Sequence, residues 1–117
     1  MLEKLLDVLT LRPAGEDVFI GANMHPAAFR VYGGQVLAQA VSAAVSTVEA
    51  DRAIHSQHAY FLRPGDATRD IEYQVERARD GGSFSSRRVV ALQGGKPIPV
   101  SYTHLRAHET KEEISYA

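Results

Sequence analysis

The sequence predicts an α+β domain in which an antiparallel sheet wraps around one long, buried helix. Three observations predict it. From Gln35 to about Val48, apolar residues cover well over half of a helical circumference, and the polar residues between them are small. From Ile71 to Ala78, residues alternate with the period of a half-buried strand. Turn sequences at Arg79-Asp80-Gly81-Gly82 and Gly94-Gly95 divide the remainder into consecutive strands, as a meander requires.

The elements follow in order. Leu2, Leu5, Leu6 and Leu9 recur at helical spacing and predict a short amphipathic helix, which Pro13 and Gly15 end. Asp17 to Gly21 is a short apolar run suited to a strand. Asn23 to Pro26 is a loop, and Phe29 to Tyr32 has strand character leading into Gly33-Gly34. In the long helix, Val36, Leu37, Ala40, Val41, Ala44, Val45 and Val48 are apolar, and its alanines and serines let other elements approach closely. Ile54 to Leu62 is the first long strand, closed by the turn Arg63-Pro64-Gly65-Asp66. Ile71, Tyr73, Val75 and Arg77 alternate with Glu72, Gln74, Glu76 and Ala78. Asp80-Gly81 is expected to supply the positive φ angles of a hairpin turn, with Ser83 to Gln93 as the return strand. Lys96 to Pro99 starts another strand.

A chain of 117 residues holds one domain at most, with a modest core. Its 13 basic and 14 acidic residues give a net charge of −1, too little to gather nucleic acid or anionic lipid. It has no cysteine, which excludes a disulfide framework and a thiolate zinc site. The N-terminal apolar run is interrupted by acidic residues, unlike a signal peptide, and no stretch reaches a membrane span. A cytoplasmic protein is expected, with no nucleic-acid or membrane partner.

The segment after Pro99 reads differently. Val100 to Thr110, VSYTHLRAHET, resembles one reading frame of a transposon-end adapter used to build sequencing libraries. Ile114-Ser115-Tyr116-Ala117 matches the adjoining adapter sequence at a plausible spacing. Residues 1–99 are therefore expected to be the native domain and 100–117 a non-native tail. His104 and His108 have the spacing of two metal ligands on a helix, but in this tail that spacing reads as accidental and no metal site is expected.

Three blocks carry a family resemblance. They are Arg30-Val31-Tyr32-Gly33-Gly34-Gln35-Val36-Leu37-Ala38-Gln39-Ala40, then His55 to Asp66, then Tyr73 to Arg77 with Asp80-Gly81 and Ser83-Phe84-Ser85 through Val90. In this order and spacing, from Leu2 to Ile98, the chain resembles the acyl-CoA thioesterase II family. The resemblance implies a double hot-dog fold, two repeats of a helix wrapped by an antiparallel sheet, of which this is the N-terminal one. It implies hydrolysis of fatty acyl-CoA to fatty acid and CoA without metal or redox cofactor. The family's catalytic Asp, Thr or Ser, and Gln lie in the second repeat, so no catalytic residue is carried over. It implies also that the last strand of this repeat is lost after Pro99, leaving an open edge prone to self-association. The partner expected is a second repeat or another copy of the chain.

Substrate-binding candidates are Gly33, Gly34, Gln35, His58 and Tyr60. Gly33-Gly34 precedes the helix, where N–H groups can face a thioester carbonyl or a phosphate. The structural reading is a tight passage from strand to helix in a crowded sheet. His55 and His58, three apart on a strand, are expected on opposite faces. His58 is a candidate for the acyl-CoA groove or proton transfer, and Tyr60, on its face, for a groove wall. The structural reading makes both ordinary core or interface residues. Arg63, Arg87 and Arg88 are weaker candidates for CoA phosphates, against simple solvation. Two other functions remain open: a noncatalytic acyl-CoA-binding or assembly half, and a hot-dog hydratase. The latter needs an Asp–His pair near the start of the helix, where His25 is the one histidine before it.

Overall fold

A computed structural model describes residues 2–23 and 33–107. In chain order the elements are α1 (Leu2–Leu9), β1 (Arg12–Gly15), β2 (Val18–Gly21), α2 (Gly33–Val45), β3 (Arg52–Phe61), β4 (Ile71–Asp80), β5 (Phe84–Gln93) and β6 (Lys96–Ala107). The strands form one sheet in the order β1-β2-β4-β5-β6-β3, and every neighbouring pair is antiparallel. The strand expected at Phe29 to Tyr32 lies outside the described residues.

α2 lies on one face of the sheet. Gln35, Val36, Gln39, Ala40, Ala43 and Ala44 form its buried stripe. Val36 and the three alanines pack on Ile71, Tyr73, Val75, Val89, Ala91 and Ile98. Ala43 and Ala44 are wholly buried, so the small side chains set how closely helix and sheet approach. α2 stops three residues short of the expected Val48. There the Ser46 hydroxyl donates to Ser42 O and the Thr47 hydroxyl to Ala44 O. Such bonds compete with helix continuation.

Three expectations need correction. Pro13 does not only stop α1. It lies in β1, an edge strand, where a missing N–H is tolerated. Asp80-Gly81 does not supply positive φ angles; a hairpin turn with them lies between β5 and β6, at Gly94 (60°) and Gly95 (77°). The β4–β5 connection is instead a longer loop in which Gly81 N–H donates to Phe84 O at 2.7 Å. Lastly, the strand that begins at Lys96 does not end at Pro99. It runs to Ala107 and pairs with β5 on one side and β3 on the other. The physical reason is a strand period in the tail itself: Ser101, Thr103 and Leu105 are buried, whereas Tyr102, His104 and Arg106 are not. The long unpaired edge is therefore β3.

Candidate functional site at the open side of the long helix

Gly33, Leu37, Val41 and Val45 recur every four residues and form one stripe of α2. Leu37 and Val41 are half-buried and Val45 is 39% exposed. β3 borders this stripe. Gln57 reaches from it to α2, donating to Leu37 O at 3.4 Å and to the Ser101 hydroxyl at 2.9 Å. Two residues along each alternate position, Phe61 sets its ring against Gly33. Ile54, opposite the buried Leu105, shares that face. Ile54 and Phe61 are 50% and 57% exposed. Helix and edge strand together thus present an open apolar face.

The sequence-predicted residues divide around this face. Gly33 lies at its end, and a Cβ there would meet the Phe61 ring at 3.5 Å. Gly34 is exposed. Gln35 is buried and its amide donates to Asn23 Oδ1 at 2.9 Å, while Asn23 in turn donates to Arg69 O. Gln35 thereby braces the approach to α2. His58 and Tyr60 point to the opposite, outer face of the sheet, since they alternate with Gln57, Ala59 and Phe61. The structure does not bring them together with Gly33, Gly34 and Gln35. A bulge between Ile54 and Ser56 absorbs His55, so His55 and His58 both lie on the outer face, contrary to the spacing argument.

Two polar networks were not foreseen. At one, Gln39 is wholly buried and joins three elements. Its amide donates to Val8 O at 2.9 Å and Ala22 O at 2.7 Å, and its carbonyl accepts from the Tyr73 hydroxyl at 2.5 Å. Burial pushes the Tyr73 hydroxyl well above the ordinary tyrosine range, so it stays a donor. At the other, Arg87 is 1% exposed beneath the C-terminal end of α2. It donates to the Thr47 hydroxyl and carbonyl, Arg79 O, Ser86 O and Asp80. The Ser85 hydroxyl, then Arg87, hold the Asp80 carboxyl below its usual value. Arg52 closes the group on Ser85 Oγ, Gly81 O and Gly82 O, beside a cavity of about 260 Å³. Arg87 is therefore a clamp between helix end and hairpin, and not a phosphate contact. Its position was recoverable: Ser85, Arg87, Val89 and Ala91 share one face of β5.

The comparisons agree with this architecture. Residues 20–108 match the family model for the acyl-CoA thioesterase N-terminal domain. The chain belongs to that family. It is 50% identical over 91 residues to acyl-coenzyme A thioesterase 8 of Homo sapiens, covering 78% of this chain and 28% of that protein. It is 43% identical over 93 residues to acyl-CoA thioesterase 2 of Haemophilus influenzae, covering 80% and 32%. Among solved structures it resembles the acyl-CoA thioesterase II TesB2 of Mycobacterium marinum, with a TM-score of 0.81, 35% identity, and coverage of 91% of this chain and 39% of that one. This thioesterase-family chain thus spans about a third of its relatives' length, and the architecture is the hot-dog fold expected. No helix among the described residues is long and apolar enough to cross a membrane.

Proposed function

We propose that the chain is the N-terminal repeat of a fatty acyl-CoA thioesterase and supplies an apolar wall, with the water-activating Asp, Thr or Ser, and Gln carried by a second repeat. The observation that carries the reading is the open apolar face of Leu37, Val41, Val45, Ile54 and Phe61 beside the unpaired β3 edge. Such a face is costly in water and favours a covering partner. The family and the short span relative to its members support a second repeat as that partner, or a further copy of the chain in its absence. In this reading Gly33 and Gly34 form the substrate-facing end, because first-turn N–H groups of a helix have no acceptor within it. The reading retains the cytoplasmic setting expected from the sequence.

The test is hydrolysis of a long-chain acyl-CoA by the chain alone. Little or no turnover is expected, and a kcat near the ordinary enzyme value of about 10 s⁻¹ refutes the division of labour. Sedimentation supplies the partner test. The chain is expected to self-associate, and Phe61→Lys to weaken association; a stable monomer at high concentration opposes it. The reading extends to the boundary at Pro99. Support for a non-native tail is the buried Thr103 hydroxyl, which has no partner among the described residues. Resequencing the source DNA across codon 99 tests it.

A further inference from the structure

Asp80-Gly81 carries a reactivity that neither the thioesterase reading nor the turn geometry uses. An aspartyl residue followed by glycine closes readily to a succinimide, because no Cβ shields the attacking amide nitrogen. Asp80 is the last residue of β4, and Gly81 opens the connection to β5. Gly81 has no positive φ, so its backbone conformation does not demand glycine. Close approach does, since a Cβ there would stand 3.3 Å from Phe84 O. Three contacts restrain the pair. Gly81 N–H donates to Phe84 O at 2.7 Å. The Ser85 hydroxyl donates to Asp80 Oδ1 at 2.8 Å, and the Arg87 guanidinium lies 2.9 Å from the same oxygen. The Asp80 side chain is nevertheless 50% exposed, so water reaches it.

We propose that Asp80-Gly81 is a site of spontaneous succinimide formation and isoaspartate modification, held in check by Ser85 and Arg87. The Gly81 nitrogen attacks Asp80 Cγ. The N–Cγ bond forms as the amide proton leaves, and a Cγ–O bond breaks with release of water. Water then opens the ring at one of its two carbonyls. Breaking the new N–Cγ bond restores aspartate. Breaking the original peptide bond routes the main chain through Cβ and leaves the α-carboxylate as the side group. Water is released and taken up again, so the product has the mass of the starting chain and no other reactant enters. The attack needs a free amide and an uncharged carboxyl. The bond to Phe84 O occupies the amide. Ser85, then Arg87, favour the ionised carboxylate. The pair therefore reacts when the β4–β5 connection opens locally. Isoaspartate lengthens the main chain by an atom and moves the carboxylate away from Arg87, so the clamp at the end of α2 loses an acceptor. Asp80, Gly81, Ser85 and Arg87 all precede Pro99, and the inference is independent of thioesterase activity.

The experiment incubates the full chain at physiological pH and temperature. Isoaspartate is measured by enzymatic carboxyl methylation, and fragmentation mass spectrometry locates it. The reference is the same chain unfolded in guanidinium chloride. Modification at Asp80 is expected in both, at least about tenfold slower in the folded chain. Ser85→Ala and Arg87→Met are each expected to raise the folded rate several-fold. Gly95→Ala weakens the fold at the other turn and is expected to leave the rate unchanged, which separates local opening from general unfolding. Asp80→Glu is expected to abolish the product, because the larger ring closes poorly. If Arg87→Met does not fold, Ser85→Ala decides. Equal rates in the folded and unfolded chain overturn the proposal, as does an unfolded chain that forms no isoaspartate. So does a rate that Ser85→Ala leaves unchanged, or that Gly95→Ala raises as much.

Discussion

Gly21→Ala isolates the Gln39 network. Gly21 has no positive φ, so alanine fits the backbone, and by chain entropy alone the change stabilises by about 0.4–1 kcal/mol. The structure predicts the opposite sign. A Cβ at Gly21 would stand 2.7 Å from Gln39 Oε1 and 2.8 Å from its Cδ. The amide must move, and it has no free end to yield because both its atoms are engaged. Three hydrogen bonds, two buried and one part-buried, at about 1 kcal/mol each, set a cost of about 3 kcal/mol. A chain of this length holds roughly 6–18 kcal/mol in all, so the loss is visible in urea unfolding. The cycle with Gln39→Ala decides the cause. Once Gln39 is truncated, Gly21→Ala should cost less than about 0.5 kcal/mol. A cost that persists in the Gln39→Ala background, or a neutral single variant, refutes the reasoning.

The remaining predictions concern stability. Arg87→Met removes a buried clamp whose acceptors include the Thr47 carbonyl, and should cost about 2–4 kcal/mol in chemical denaturation. Asp17 and Asp80 are both held below the ordinary 3.8, Asp17 first by its hydrogen bond from Arg77. Their contribution is therefore full above about pH 4 and is lost as pH falls through the depressed folded values. Asp80→Asn should flatten that acid limb of the stability profile, and an unchanged limb opposes the pairing. Thr103→Val removes an unpartnered buried hydroxyl and should raise stability by about 1 kcal/mol, read from the denaturation midpoint. Gly95→Ala has open space for its Cβ but a φ of +77°, so a loss of about 1 kcal/mol is expected from backbone strain alone.

The layered architecture was legible because its signals are local. α2 announced itself by apolar residues around most of its girth, β4 by alternation, and β5 as the return strand after a turn. β1 was missed because a four-residue strand carrying Pro13 has no period to detect. The turn at Gly94-Gly95 and that at Asp80-Gly81 look alike as sequence, and only the register of the flanking strands separates them. The candidate site was less legible. Gly33, Gly34 and Gln35 occur where the helix begins, but the face of His58 depends on a bulge at His55 that no spacing reveals. Gln39 reads as an ordinary helical polar residue until the backbone of two other segments arrives beside it. Long-range acceptors of this kind leave no trace in local pattern.

The position of β6 has a consequence for synthesis. β3 emerges early, yet its neighbour in the sheet, β6, is the last element of the described chain. Between Phe61 and Lys96 the growing polypeptide can zip β4 onto β5, while β3 waits undocked. Its closure spans more than a whole hairpin, the kind of non-local step that slows folding and lengthens exposure to aggregation. Stopping translation at Pro99 would accordingly forfeit two strands of sheet instead of one, and a protease added to stalled nascent chains should cut within 52–61 until β6 is released.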